Sequence, residues 1–170
     1  MTISRSKVGA QKEQEFAANC KYHDLFAIRQ HIPSRYVYRR GGMVLTPLSK
    51  APYDFVVIDQ LTGLSCLVEI KSVSTGKRFY LRSVLKESQI EFFEHISDNN
   101  ICAILVIRFY NKWFIKTPSE IKDLLITRKP LLIEHGINFA SLVIGMREYI
   151  NTFYGGTNAS KKRQRICKET

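Results

Sequence analysis

The sequence predicts an α/β domain in which helices flank a central β-sheet. Three observations lead there. Residues 7–22 carry Gly9, Glu13, Phe16, Ala17 and Cys20 on one helical face. Three short apolar runs, Phe55–Asp59, Leu64–Lys71 and Ile101–Tyr110, have the length and composition of buried strands. Between the second and third of these runs, residues 84–97 return to helical spacing.

The remaining elements follow in order. Leu25–Ile32 forms a first strand. Tyr36–Leu45 reads as a hairpin or protruding loop, because Gly41-Gly42 supplies the positive φ of a tight turn. Gln60-Leu61-Thr62-Gly63 joins the two middle strands, and a basic loop, Ser74–Arg78, precedes a short strand Phe79–Leu81. The 84–97 helix puts Leu85, Ser88, Gln89, Phe92, Phe93 and Ile96 on one face. Lys112–Ile115 pairs with the Ile101–Tyr110 strand across Asn111. Pro118 starts a helix at 118–126, residues 131–139 are extended, and 141–153 form a last helix. No internal repeat or interior linker interrupts this order. The expected division is a domain over 1–154 and a basic, disordered tail over 155–170.

The 170 residues suffice for a real core, and the net charge of +11 points to a polyanionic partner. No apolar run approaches the roughly 20 residues of a membrane span, and Met1–Lys7 lacks the apolar stretch of a signal peptide. Nucleic acid is therefore the expected partner, not a membrane, and the expected location is cytoplasmic and nucleoid-associated. Cys20, Cys66, Cys102 and Cys167 show no CxxC spacing and read as reduced thiols, with Cys66 and Cys102 buried in strands. His23, His31, His95 and His135 lack zinc-ligand spacing.

Chemistry concentrates in Pro52-Tyr53-Asp54 and Glu69-Ile70-Lys71. Buried strands rarely carry carboxylates for packing reasons. Two on neighbouring strands can hold one divalent cation. Lys71, two residues after Glu69, shares its face because strand side chains alternate. Two acids and one base converging on a point suit metal-assisted phosphodiester hydrolysis. The plainer alternative is a surface acid beside a strand-edge Glu/Lys pair. Glu13 needs a partner on its apolar face: either a boundary salt bridge or a place as third acid near the metal. Gln89 either satisfies a backbone group or reaches the metal site. Tyr36, Tyr38, Arg39 and Arg40 form either an ordinary basic edge or a surface for base stacking and phosphate contact.

Pro52-x-Asp54, fourteen residues, then Glu69-x-Lys71 resembles the PD-(D/E)xK nuclease superfamily. Lys7-x-Gly9-x-x-x-Glu13, Phe79-Tyr80-Leu81 followed by Ser88-Gln89, Trp113-Phe114-Ile115 and Arg147–Ile150 narrow the likeness to Holliday junction resolvases of the RecU and Hjc type. The resemblance spans roughly residues 7–152. It departs from RecU in a shorter segment between Gly41 and Asp54, and in one residue inserted between Lys7 and Gly9.

The resemblance implies a restriction-endonuclease-like domain with a mixed central sheet. It also implies a homodimer that cuts two symmetric strands of a four-way DNA junction in recombination and repair. The exposed faces of Phe79–Leu81 and of the first helix are expected dimer contacts. The chemistry assigns Asp54, Glu69 and the Ile70 carbonyl as Mg²⁺ ligands, with Mn²⁺ as substitute and Glu13 completing or orienting the shell. Lys71 acts on the attacking water and the phosphate, and Gln89 orients Lys71 or a water. Lys77, Arg78, Arg82, Arg39 and Arg40 bind phosphates. The alternatives are another PD-(D/E)xK nuclease, a restriction endonuclease or repair exonuclease, and a non-catalytic nucleic-acid-binding module.

Overall fold

The computed structural model describes residues 5–30, 34–39, 42–47, 53–74 and 76–156. Its centre is a five-stranded mixed sheet in the order β1-β4-β5-β7-β8. β1 is Leu25–Arg29, β4 Phe55–Asp59, β5 Ser65–Val73, β7 Ala103–Phe109 and β8 Lys112–Lys116. β5 and β7 run parallel, and the other neighbours are antiparallel. A parallel pair needs a crossover; two helices supply it, α2 (Leu81–Val84) and α3 (Glu87–Asp98). β2 (Ser34–Arg39) and β3 (Gly42–Pro47) form a separate antiparallel hairpin, with Gly42 at φ 135°.

Strand parity builds two cores. Cys66, Val68 and Ile70 of β5 and Ile104 and Val106 of β7 face α1 (Arg5–Tyr22) and α5 (Phe139–Gly156). Phe16 and Cys20 of α1 and Leu142, Met146 and Ile150 of α5 close that side. The alternate residues Ala103, Leu105, Ile107 and Phe109 face Leu85, Phe93 and Ile96, together with Ile121 of α4 (Pro118–Thr127). β7 is thus buried on both faces, which explains its continuous apolar run. Each buried Val, Leu, Ile, Met or Phe among these contributes about 1.5–3 kcal/mol by leaving water.

The α4 start is fixed locally. Pro118 opens the helix, Thr117 Oγ1 accepts from the Glu120 N–H at 3.3 Å, and Glu120 accepts from the Thr117 N–H at 2.9 Å. Burial works against the Glu120 carboxylate, yet Lys116 and the Thr117 donors hold its pKa below the usual range. Cys20, Cys66 and Cys102 are free and buried, and burial pushes the Cys20 thiol up to about 12.

Several boundaries differ from the sequence expectation. β1 ends at Arg29, and 31–33 lie outside the described residues. The expected strand Phe79–Leu81 is a two-residue strand, β6 (Arg78–Phe79), paired with β9 (Leu131–Leu132) away from the main sheet. Leu81 instead opens α2; Phe79 and Leu81 are buried in the core, and Tyr80 between them is the exposed residue of the segment. The expected 84–97 helix begins only at Glu87, and Ser88 points to solvent. Residues 131–139 are extended only in part: Leu131–Leu132 is a strand and Ile137 bridges to Trp113, but a 3-10 turn occupies Ile133–His135 and Phe139 opens the last helix. The last helix starts at Phe139, where Asn138 Oδ1 accepts from the Ser141 N–H, and runs to Gly156. The expected tail from 157 onward lies outside the described residues.

Gly136 is required for packing. A Cβ there would sit 2.5 Å from Lys112 Cβ and 3.1 Å from the Phe114 ring. Gly136→Ala is expected to destabilise the protein by about 1–3 kcal/mol. Urea unfolding checks this, and an unchanged midpoint would contradict the close approach.

Candidate active site

The middle of the sheet places charge where packing alone would place none. Glu69 is 1% exposed and sits on the α3 side of β5, because it has the parity of Leu67 rather than of Val68. Lys71 follows on the same face. Its ammonium donates to Glu69 Oε1, and so does the Gln89 side-chain amide from α3. Gln89 is itself buried, and its Oε1 accepts from the Lys86 N–H at 3.2 Å. One glutamine therefore both closes the start of α3 and holds a carboxylate. The two readings of Gln89 left open by the sequence are combined in one side chain. The break between α2 and α3 makes this possible, since Lys86 must be extended for its N–H to meet Gln89.

Asp54 stands just before β4. Continuing the β4–β5 register by one step puts it opposite Glu69, since Phe55 pairs with Val68. Directly opposed antiparallel residues have Cβ atoms about 4.5–5.5 Å apart. Asp54 Oδ2 accepts from the Ile70 N–H at 2.8 Å, and the Asp54 N–H donates to the Val68 carbonyl at 3.0 Å. The N–H and C=O of a strand residue project to the same side. The Ile70 carbonyl therefore points toward the Asp54 edge, while its side chain is buried on the opposite face of the sheet. Asp54, Glu69, the Ile70 backbone, Lys71 and Gln89 are thus brought together.

The other expected site residues are distributed differently. Glu13 lies on α1, on the opposite face of the sheet, and its carboxylate pairs with Arg29 at the end of β1. Arg29 is opposite Phe55, so this ion pair lies at the same end of the strands as Asp54. Among the described residues, no group of three or more His, Cys, Asp or Glu side chains is arranged to hold a metal. Lys77, Arg78 and Arg82 are exposed between β5 and α3. Tyr38 projects from the hairpin at 79% exposure. The side chains of Tyr36 and Arg39, and all of Arg40, lie outside the described residues.

Two further ion pairs were not legible in the sequence. Asp59, 1% exposed at the end of β4, accepts from Arg147 of α5 at 3.2 Å and from the Leu61 N–H and Thr62 hydroxyl of its own turn. Arg147 also donates to the His23 carbonyl at 2.7 Å. The apolar run ending in Asp59 was the available signal, because a buried carboxylate demands a partner. Glu15 pairs with Arg108, whose guanidinium lies 5.4 Å from the Trp113 ring centroid.

No helix among the described residues is long and apolar enough to cross a membrane. No protein-family model matches the chain, and no curated protein matches it either.

Proposed function

We propose that this chain is a metal-dependent endodeoxyribonuclease of the PD-(D/E)xK type, built on a restriction-endonuclease-like fold and acting on four-way DNA junctions. The observation that carries this reading is the Asp54–Ile70–Glu69–Lys71–Gln89 constellation: two carboxylates and one strand carbonyl on one edge, with a cation and an amide behind them.

These donors fit Mg²⁺, or Mn²⁺ in its place. All are hard oxygens, and Mg²⁺ is commonly held by one or two carboxylates with waters filling the rest. Asp54 and Glu69 would hold the ion with the Ile70 carbonyl. When bound, the ion supplies Lewis-acid stabilisation of the phosphate and a more acidic water. The chain's own residues do the rest. The Ile70 N–H fixes the Asp54 carboxylate, and Gln89 fixes that of Glu69. Lys71, 16% exposed, presents an ammonium that can hold a proton near the attacking water and offset charge building on the phosphate oxygens. Glu13, engaged with Arg29, takes an orienting role at the neighbouring strand end. Lys77, Arg78 and Arg82, with the hairpin Tyr38, form the surface for the polyanion.

Paired symmetric cuts need two equivalent sites, so a homodimer belongs to this proposal. The test is cleavage of a labelled four-way junction and of linear duplex, each with Mg²⁺ or with EDTA. The expected result is Mg²⁺-dependent, symmetric nicking of the junction with the duplex spared. Duplex cutting at a fixed sequence would reassign the chain to restriction-type chemistry, and binding without any cut would make it a non-catalytic module.

A further inference from the structure

We infer that the groove between α2 and α4 is a subsite for an unpaired nucleotide of a branched DNA substrate. The identity of the substrate rests on the nuclease proposal; the groove itself does not. It encloses about 470 Å³, within the roughly 300–1,000 Å³ of small-ligand sites. Buried Leu81 and half-buried Leu124 and Leu125 make its apolar lining. Arg82, Arg128 and Lys129 surround it, all exposed, and Tyr80 contributes a ring that is 43% exposed.

The chemistry of this lining selects among occupants. Among the described residues, none of the three cations meets a carboxylate within ion-pair distance. Carbonyls at the end of α4 add negative potential. Arg128, at the left-handed C-cap (φ 52°), and Lys129 offset it. The groove thus combines an apolar surface for a base, an aromatic ring for stacking and cations for phosphates. A paired and stacked base cannot enter such a groove, whereas an unpaired base at a branch point can.

The location fits the same conclusion. Arg82 precedes Gln89 by seven residues, across the short link that joins α2 to α3. Gln89 holds Glu69, so groove and acidic cluster belong to one helical layer on one face of the sheet. A strand crossing the acids can reach the groove without turning round the molecule.

The test is fluorescence anisotropy of the full chain with dye-labelled oligothymidylate in EDTA. The Arg128→Ala/Lys129→Ala double variant should bind about tenfold more weakly, with a salt slope shallower by about 1.4 for two lost phosphate contacts on a single strand. Tyr80→Ala should weaken binding of oligothymidylate but not of an abasic oligonucleotide of equal length. The substituted side chains are exposed, and circular dichroism checks that the fold is kept. Unchanged affinity and slope in the double variant would overturn the inference. So would equal losses for Tyr80→Ala on oligothymidylate and on the abasic strand, which would leave no contact between the ring and a base. Binding of an oligoglutamate peptide as tight as that of oligothymidylate, lost in the same variant, would assign the groove to an acidic protein segment instead. No cleavage is read, so failure of the nuclease proposal and failure of the groove remain separate outcomes.

Discussion

Asp54→Asn and Glu69→Gln are each expected to lower junction cleavage by about three orders of magnitude, the factor that several kcal/mol of lost transition-state stabilisation implies. Both substitutions keep shape. An asparagine oxygen can still accept from the Ile70 N–H, and a glutamine oxygen can still accept from Gln89. What disappears is one negative charge from a site proposed to hold a divalent cation. Junction affinity measured in EDTA should change little, because Lys77, Arg78, Arg82 and Tyr38 are untouched. Glu69→Gln also leaves the Lys71 ammonium without its carboxylate, so a modest stability change should accompany it. Single-turnover cleavage and anisotropy on the same preparations separate the effects. Wild-type cleavage rates in either variant would remove the metal assignment. Lost cleavage together with lost junction binding would point to a folding defect or a binding role.

Arg147→Ala should cost about 3 kcal/mol of stability, at the lower end for breaking a buried ion pair, because the guanidinium is a quarter exposed. The substitution leaves the Asp59 carboxylate, 1% exposed, with only the Leu61 N–H and the Thr62 hydroxyl. It also removes the donor to the His23 carbonyl, which ties α5 to the turn between α1 and β1. Asp59→Asn should cost less, about 1–2 kcal/mol, since the amide oxygen preserves the turn while losing charge-assisted bonding. Asp59 lies at the opposite end of β4 from Asp54 and points to the opposite face of the sheet from Glu69. Cleavage by the folded fraction should therefore persist. Denaturant unfolding gives the stabilities. An Arg147→Ala variant as stable as the parent would show that the pair is energetically neutral.

The sequence by itself determined much of the frame. Periodicity of two against three-and-a-half located β4, β5, β7, β8, α1, α4 and α5 to within a few residues, because those elements bury a face or a whole run. Parity also placed Glu69 and Lys71 on one side of their strand, since alternation along a strand is a local property, whereas the β4–β5 register set Asp54 opposite Glu69. Other features depended on contacts between distant residues. The 84–97 helix broke at Leu85–Lys86, where the backbone turns extended and the Lys86 N–H donates to the Gln89 side chain. Phe79 pairs outside the main sheet with Leu131, a partner far along the chain that its own spacing does not name. Glu13 found Arg29, Asp59 found Arg147, and Tyr80 joined Arg128 and Lys129 around one groove. A side chain's own spacing says which face it occupies. Which charge or ring waits on the facing element is decided only when sheet order and helix packing bring the two together.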